Sequence, residues 1–328
     1  MKKKYVLLNS IVEVEGPNEL FDYIDLNIIE FPLYTKNVRE YRVTYEENSR
    51  LYSDIVNDLE KMEGKKTRIF DNEYVLKIKN EDVIFLVDDT SVIVHMDNKF
   101  AIYGRTSESK SKVVSLIREA IYEGYVLDND LLLNSAAFST NHEQGNVLVG
   151  PKGTGKTALL IENLMRLPAT YISNSIVGVH NNRIMASTFP VSISHGVLSH
   201  CNGKEYDDLN EKETYSLKHF IEYYSLSTDS NVRVKNLIFP HFSLDSHFEI
   251  EKIDKKDAHD ALIKQVLNYG DKVRPYLWVN EVTRNLVKKK IIDSKINGLI
   301  GSTESFHVSF GPNINEDNIK TMRKVMKI

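Results

Sequence analysis

The sequence predicts an α/β protein, with a β-rich first domain over residues 1–110 and a second domain over 111–328 in which strands and helices alternate. Two observations lead to this division. Between Arg68 and Tyr103, short runs rich in strand-forming residues alternate with pairs of Asp and Asn. From Asn146 to Leu167, a strand-like run, a glycine-rich loop and a helix-like run follow in succession.

In the first domain, the stretch from Leu51 to Met62 sets Ile55, Leu59 and Met62 along one side of a helix suited to packing on a sheet. The sheet itself reads as an antiparallel meander. Ile69-Phe70 meets Asp71-Asn72, and Glu73 to Ile78 meets Lys79 to Asp82. Val83 to Val87 meets Asp88 to Thr90, Ser91 to Met96 meets Asp97-Asn98, and Lys99 to Tyr103 follows. Asp and Asn tolerate the backbone angles of tight turns, so they punctuate the strands. Composition turns polar from Ser107 to Lys112, as in a surface linker. Val113, Leu116, Ile117, Ala120 and Ile121 then form a helical stripe ending at Gly124, which is counted with the second domain.

In the second domain Asn146 to Val149 reads as a strand, Gly150 to Thr157 as the loop, and Ala158 to Leu167 as a helix halted before Pro168. Residues 170–179 read as the next strand. Helices are expected over 211–223, 257–268 and 279–290, a late strand over 306–310 and a terminal helix over 315–325.

Composition leaves room for two such domains: 328 residues, 41% hydrophobic and 27% charged, can fill ordinary cores. A net charge of -4 gives no overall attraction to nucleic acid or to an anionic membrane. Apolar runs such as Val83 to Val87 and Val147 to Val149 are strand-sized and far short of a membrane span. The basic start at Lys2 to Lys4 leads into an apolar run that Asn9, Glu13 and Glu15 interrupt, so no signal peptide is expected. Cys201 is the single cysteine, which excludes an internal disulfide and fits a cytoplasmic setting.

The loop Gly150-Pro151-Lys152-Gly153-Thr154-Gly155-Lys156-Thr157, followed by Ala158, satisfies G-x-x-x-x-G-K-[ST] in full. Glycines let the backbone curl with its N–H groups turned inward, where they hydrogen-bond phosphate oxygens. A helix starting near Lys156 adds its positive end beneath the same phosphates. Lys156 supplies a mobile charge to the β- and γ-phosphates, and Thr157 offers its hydroxyl to Mg²⁺. A strand before the loop and a helix after it are the context the motif demands, so a nucleoside triphosphate is the expected ligand. A downstream strand ending in an Mg²⁺-assisting Asp is not evident. Tyr171-Ile172-Ser173 ends in Asn174-Ser175, and Leu237-Ile238-Phe239 runs into Pro240 and His241. Asp88-Asp89 lies upstream of the loop and reads as a hairpin turn.

This order of elements resembles the HPr kinase/phosphorylase family, which is related to the phosphoenolpyruvate carboxykinases, and most of all its relatives from peptide and small-molecule maturation pathways. Four stretches carry the likeness: Leu131 to Phe138, the loop, Ala169 to Ser175, and Thr188 to Ile193. The resemblance implies a P-loop kinase domain that moves the γ-phosphoryl group of ATP or GTP, with Mg²⁺, to a hydroxyl of a peptide or small molecule. It implies that Lys156 stabilises the transferring group and that Asn174 and Ser175 stand near the acceptor. Relatives carry a His where this chain has Asn134 or Ser135, and an acid where it has Asn174-Ser175. Neither an amide nor a hydroxyl is a competent base near neutral pH. A regulatory protein that binds nucleotide without catalysis, or an NTPase coupled to a partner, is the alternative. Assembly into a homo-oligomer is left open.

Other side chains carry weaker signals. His195 and His200 lie in Ser192 to Cys201 without a helix to align them or a carboxylate at ligand spacing, so packing or surface roles are expected, with His195 beside Gly196 the better candidate for substrate contact. Arg105, Arg274 and Arg284 are able to clamp phosphate or carboxylate. Lys288 to Lys290 reads as a solvated helix face, and Tyr276 and Trp278 as core. Cys201 has no evident activating partner.

Overall fold

The structure, a computed structural model, describes residues 1–33, 38–70, 73–78, 83–186, 190–195, 212–229, 231–245, 247–267 and 289–328. It is mixed α/β, and the chain divides into two units, Met1–Gly124 and Tyr125–Ile328.

The first unit is built on an eight-stranded sheet. Its strands are β1 (Lys2–Leu7), β2 (Ser10–Glu15), β3 (Arg39–Glu47), β4 (Gly64–Phe70), β5 (Glu73–Ile78), β6 (Val83–Val87), β7 (Ser91–Met96) and β8 (Lys99–Gly104), with helices α1 (Asn18–Asn27) and α2 (Ser49–Leu59). The order across the sheet is β1-β2-β3-β8-β7-β6-β5-β4. Strands β4 to β8 form the expected antiparallel meander. Strand β3 enters it parallel to β8 and to β2. The pairs Asp71-Asn72 and Lys79 to Asp82 lie outside the described residues. Where the turns are described, their chemistry is as expected: Asp97 has φ 54°, and Asp88 accepts from the Thr90 and Ser91 N–H groups, each at 2.8 Å. Helix α2, capped by the Asn48 side chain, packs Tyr52 and Leu59 against Leu76, Val87 and Val92 of the meander.

The segment from Ser107 to Lys112 is not the surface linker that its polar composition suggests. A 3₁₀ turn at Ser107–Ser109 leads directly into helix α3 (Lys110–Leu127). Ser109 is fully buried, with its hydroxyl 2.9 Å from the Tyr45 hydroxyl. Lys112 forms an ion pair with Asp88. Short polar side chains that cap a turn look the same in sequence as side chains that face water. The division between units accordingly falls within α3, after Gly124, rather than ahead of the helix at residue 110.

The second unit contains strands β9 (Leu131–Leu133), β10 (Ser135–Ser139), β11 (Gln144–Val149), β12 (Thr170–Ser173), β13 (Val177–His180), β14 (Arg183–Met185), β15 (Val191–Ser194), β16 (Lys212–Tyr215), β17 (Ser227–Thr228), β18 (Val232–Phe242), β19 (Glu249–Lys252) and β20 (Glu304–Phe310). Its helices are α4 (Lys156–Arg166), α5 (Leu217–Tyr223), α6 (Lys255–Ile263), α7 (Lys289–Ser302) and α8 (Glu316–Met326). Ten of the strands form one sheet, with β15 and β16 paired separately. At its centre β18 runs parallel to β11 on one side and to β20 on the other. The fully buried carboxylate of Asp130 holds His180 Nδ1 at 2.7 Å and Lys295 Nζ at 2.5 Å, tying β13 and α7 to the start of β9.

Two expectations are corrected in this unit. Residues 170–179 are not one strand but β12 and β13, separated at Asn174-Ser175, where Ser175 has φ 75°. The opposite run breaks at the same level, at Asn134 between β9 and β10. The pairings Ala137↔Ser173 and Leu133↔Val177 keep one register across the break, and Ser135 N donates to Ser175 O between them at 3.3 Å. The two runs thus form a single antiparallel ribbon with a sharp bend. The helix expected over 211–223 is half strand: β16 precedes Ser216, whose side chain caps α5 by accepting from His219 N. Helix α6 covers the first part of the stretch 257–268. Of 279–290, only Lys289 and Lys290 are described, and they open α7. The strand β20 and helix α8, begun by an Asn315–Asn318 capping box, stand where the sequence puts them. No helix among the described residues is long and apolar enough to cross a membrane.

Candidate functional site

Strand β11 is buried through Val147, Leu148 and Val149 and delivers the chain to Gly150 at the carboxyl end of the parallel strands. Helix α4 leads away, buried through Leu159, Leu160, Ile161 and Leu164. The glycine-rich loop between them turns on two left-handed residues, Gly153 at φ 92° and Gly155 at φ 87°. Gly155 is also the N-cap of α4, and no side chain caps the helix there. A Cβ on it would lie 2.6 Å from Phe310 Cζ and 2.8 Å from Phe242 Cβ, so the loop rests directly on β18 and β20. Phe242 N donates to Thr154 O at 3.1 Å, and Gly150 N to Asn134 O at 3.3 Å. The Thr154 hydroxyl closes the turn on Pro151 O at 3.0 Å.

The remaining donors of the loop are uncommitted. Among the described residues, no protein acceptor takes the backbone N–H of Lys152, Gly153, Thr154, Gly155, Thr157 or Ala158. Lys156 is 8% exposed and donates from Nζ to the carbonyls of Gly150 at 2.6 Å and Pro151 at 2.8 Å. Its ammonium is therefore held within the loop's own curl. Thr157 donates its hydroxyl to Asn174 Oδ1 at 3.2 Å.

The bend of the ribbon lies against this loop. Asn174 is buried, and Ser175 beside it is exposed. Asn134 gives its carbonyl to Gly150 and its side-chain amide to Gln265 Oε1 at 3.3 Å, while Asn134 N donates to Gln265 O at 2.9 Å. The structure thus brings together Asn134, Ser135, Gly150, Thr157, Asn174 and Ser175, which sequence analysis singled out on separate stretches. Gln265 was missed, since a lone glutamine past a helix carries no signal. Tyr171, in strand β12 that leads to Asn174, is fully enclosed, and burial pushes its phenol far up, so it stays a neutral hydroxyl.

The other candidates are placed elsewhere or not described. Arg105 belongs to the first unit, where its guanidinium lies 5.9 Å from the Tyr52 ring centre. His241, next to the end of β18, stacks with His307 of β20 at 6.1 Å between ring centres. His195 is partly buried at the end of β15. Thr188, Phe189, Gly196, His200, Cys201, Arg274, Tyr276, Trp278, Arg284 and Lys288 lie outside the described residues. Among the described residues, no three His, Cys, Asp or Glu side chains cluster as metal ligands. The oxygen donors beside the loop are the Thr157 hydroxyl and the Asn174 amide, which suit a hard cation that keeps its other positions for water and phosphate. No protein-family model matches the chain, and no curated protein matches it in sequence.

Proposed function

We propose that the chain binds ATP or GTP on residues 150–158 and transfers the γ-phosphoryl group to a hydroxyl of a peptide or small molecule in the cytoplasm, in the manner of the HPr-kinase-like proteins it resembles. The observation that carries the first part is the loop's donor inventory. Six backbone N–H groups within seven consecutive residues, in the curl of the loop and the first turn of α4, have no protein acceptor among the described residues and surround an enclosed ammonium. Triphosphate oxygens are acceptors of the right charge and number to satisfy them.

In this reading Gly150 to Gly155 hold the phosphates. Lys156 gives up the Gly150 and Pro151 carbonyls for the β- and γ-oxygens and stabilises charge as the phosphoryl group moves. Thr157 would hold Mg²⁺, which when bound would supply positive charge to offset that of the phosphates. Asn174 and Ser175, at the bend, position the acceptor and do not act as its base. A second reading, nucleotide binding for regulation or partner-coupled hydrolysis without transfer, is favoured by one contact: Asn174, where relatives have an acid, is a neutral amide committed to Thr157.

The test is thermal unfolding of the full chain with Mg²⁺ and ATP or GTP. Ligand at about a hundred times its Kd stabilises by about 2.7 kcal/mol, and Lys156→Ala is expected to remove most of that gain. No shift with any triphosphate at millimolar concentration would refute the binding site. Transfer of labelled γ-phosphate to candidate acceptors then separates kinase from regulator.

A further inference from the structure

We propose that Asn174 reads the terminal phosphate, making the site selective for nucleoside triphosphates over diphosphates. The inference rests on the reading of residues 150–158 as a phosphate loop and goes beyond it, because it assigns the selectivity to one side chain. Asn174 is 3% exposed and occupies the bend between β12 and β13. Its oxygen is used, accepting the Thr157 hydroxyl at 3.2 Å. Its Nδ2 donates to no protein group among the described residues, and it is not one of the atoms sealed from solvent without a partner. An almost buried amide with one end fixed and the other unspent has its donor held in place before any ligand arrives. That donor lies on the same group that holds Thr157, the residue beside which the β- and γ-phosphates are expected.

The chemistry of an amide differs here from that of an acid. A carboxylate can accept from Thr157 but presents only negative charge to a phosphate oxygen. An amide accepts from Thr157 and donates to the phosphate in the same orientation. A diphosphate has no γ-oxygens to receive that bond, so the contact discriminates by its presence or absence. The discrimination comes from the strength of a hydrogen bond to a charged acceptor, which exceeds that of the water that replaces it in the diphosphate complex.

Calorimetric titration of the full chain with Mg·ADP and with a non-hydrolysable Mg·ATP analogue tests this. Wild type is expected to prefer the triphosphate by about tenfold or more, the size of one hydrogen bond to a charged group. Asn174→Asp keeps the acceptor for Thr157 and replaces the donor with an anion. It should lose most of the triphosphate affinity while diphosphate affinity changes less than about threefold. Asn174→Ala, which buries no charge, should cut the preference by about tenfold, leaving what Lys156 contributes, and serves if the acid variant does not fold. A wild-type preference below about threefold, or equal weakening of both nucleotides in the variants, would overturn the assignment. Wild type binding neither nucleotide would instead overturn the phosphate loop itself.

Discussion

Gly155→Ala perturbs the loop at its tightest point. The residue has φ 87°, and a left-handed backbone costs an alanine about 1–2 kcal/mol. The added methyl would also lie 2.8 Å from Phe242 Cβ and 2.6 Å from Phe310 Cζ. The Phe310 ring tip can swing, but a Cβ is fixed to its strand, so the loop or β18 must shift. Forcing an extra methyl into a packed site costs about 1–3 kcal/mol, which brings the total to about 2–5 kcal/mol. Gly153 is the internal control: its φ is 92°, yet nothing lies within 4 Å of its added methyl, so only the backbone cost applies. In a unit of about 200 residues each kcal/mol lowers Tm by about 2–4 °C. Gly155→Ala is therefore expected to melt roughly 10 °C below wild type and Gly153→Ala about 4 °C below. Circular dichroism melts of the full chain measure both. Equal losses, or the larger loss at Gly153, would refute the claim that β18 and β20 form the floor of the loop.

Three further outcomes follow from buried charges. Burial alone would raise the Asp88 carboxyl, but Lys112 and Thr90 hold it below its ordinary value of 3.8. Its stabilising contribution is complete above that value and fades as pH falls toward the lower folded one, so the deficit of Asp88→Asn, about 1–2 kcal/mol at pH 7, should shrink in acid melts. Glu123 has the opposite sign: burial raises its carboxyl above 4.5 despite the hydrogen bond from the Tyr41 hydroxyl. A raised acid stabilises only while protonated, and that contribution is lost as pH rises. Glu123→Gln, which keeps an acceptor for Tyr41, should thus raise Tm at pH 7 and lose its advantage near pH 4; a gain at both would refute the burial argument. Asp130→Ala leaves the His180 and Lys295 contacts without their shared acceptor and should cost about 2–3 kcal/mol by urea titration, whereas a cost under about 0.5 kcal/mol would show that the tie is ornamental.

The legibility of this fold in its sequence follows turn chemistry. The meander was readable because Asp88-Asp89 and Asp97-Asn98 mark its reversals, and β11, the loop and α4 because glycine and lysine spacing has one structural meaning. The bend was not. Asn134 and Asn174-Ser175 sit inside runs of strand-forming residues, and a left-handed serine leaves no trace in hydrophobic alternation. The boundary between β16 and α5 was hidden for a related reason: both segments are polar and aromatic, and only Ser216, capping His219, separates them. The linker failed because Ser109 is a buried hydroxyl, not a solvated one.

The bent ribbon has a consequence for how such a site is built. Its arms are held by apolar strand pairs, Leu131 to Leu133 against Val177 to Val179 on one side and Ala137 to Ser139 against Thr170 to Ser173 on the other. The corner residues contribute little to that pairing, so their identity is decoupled from the scaffold's integrity. A corner of this kind sets the side chains facing the glycine-rich loop apart from the strand pairs that hold the frame.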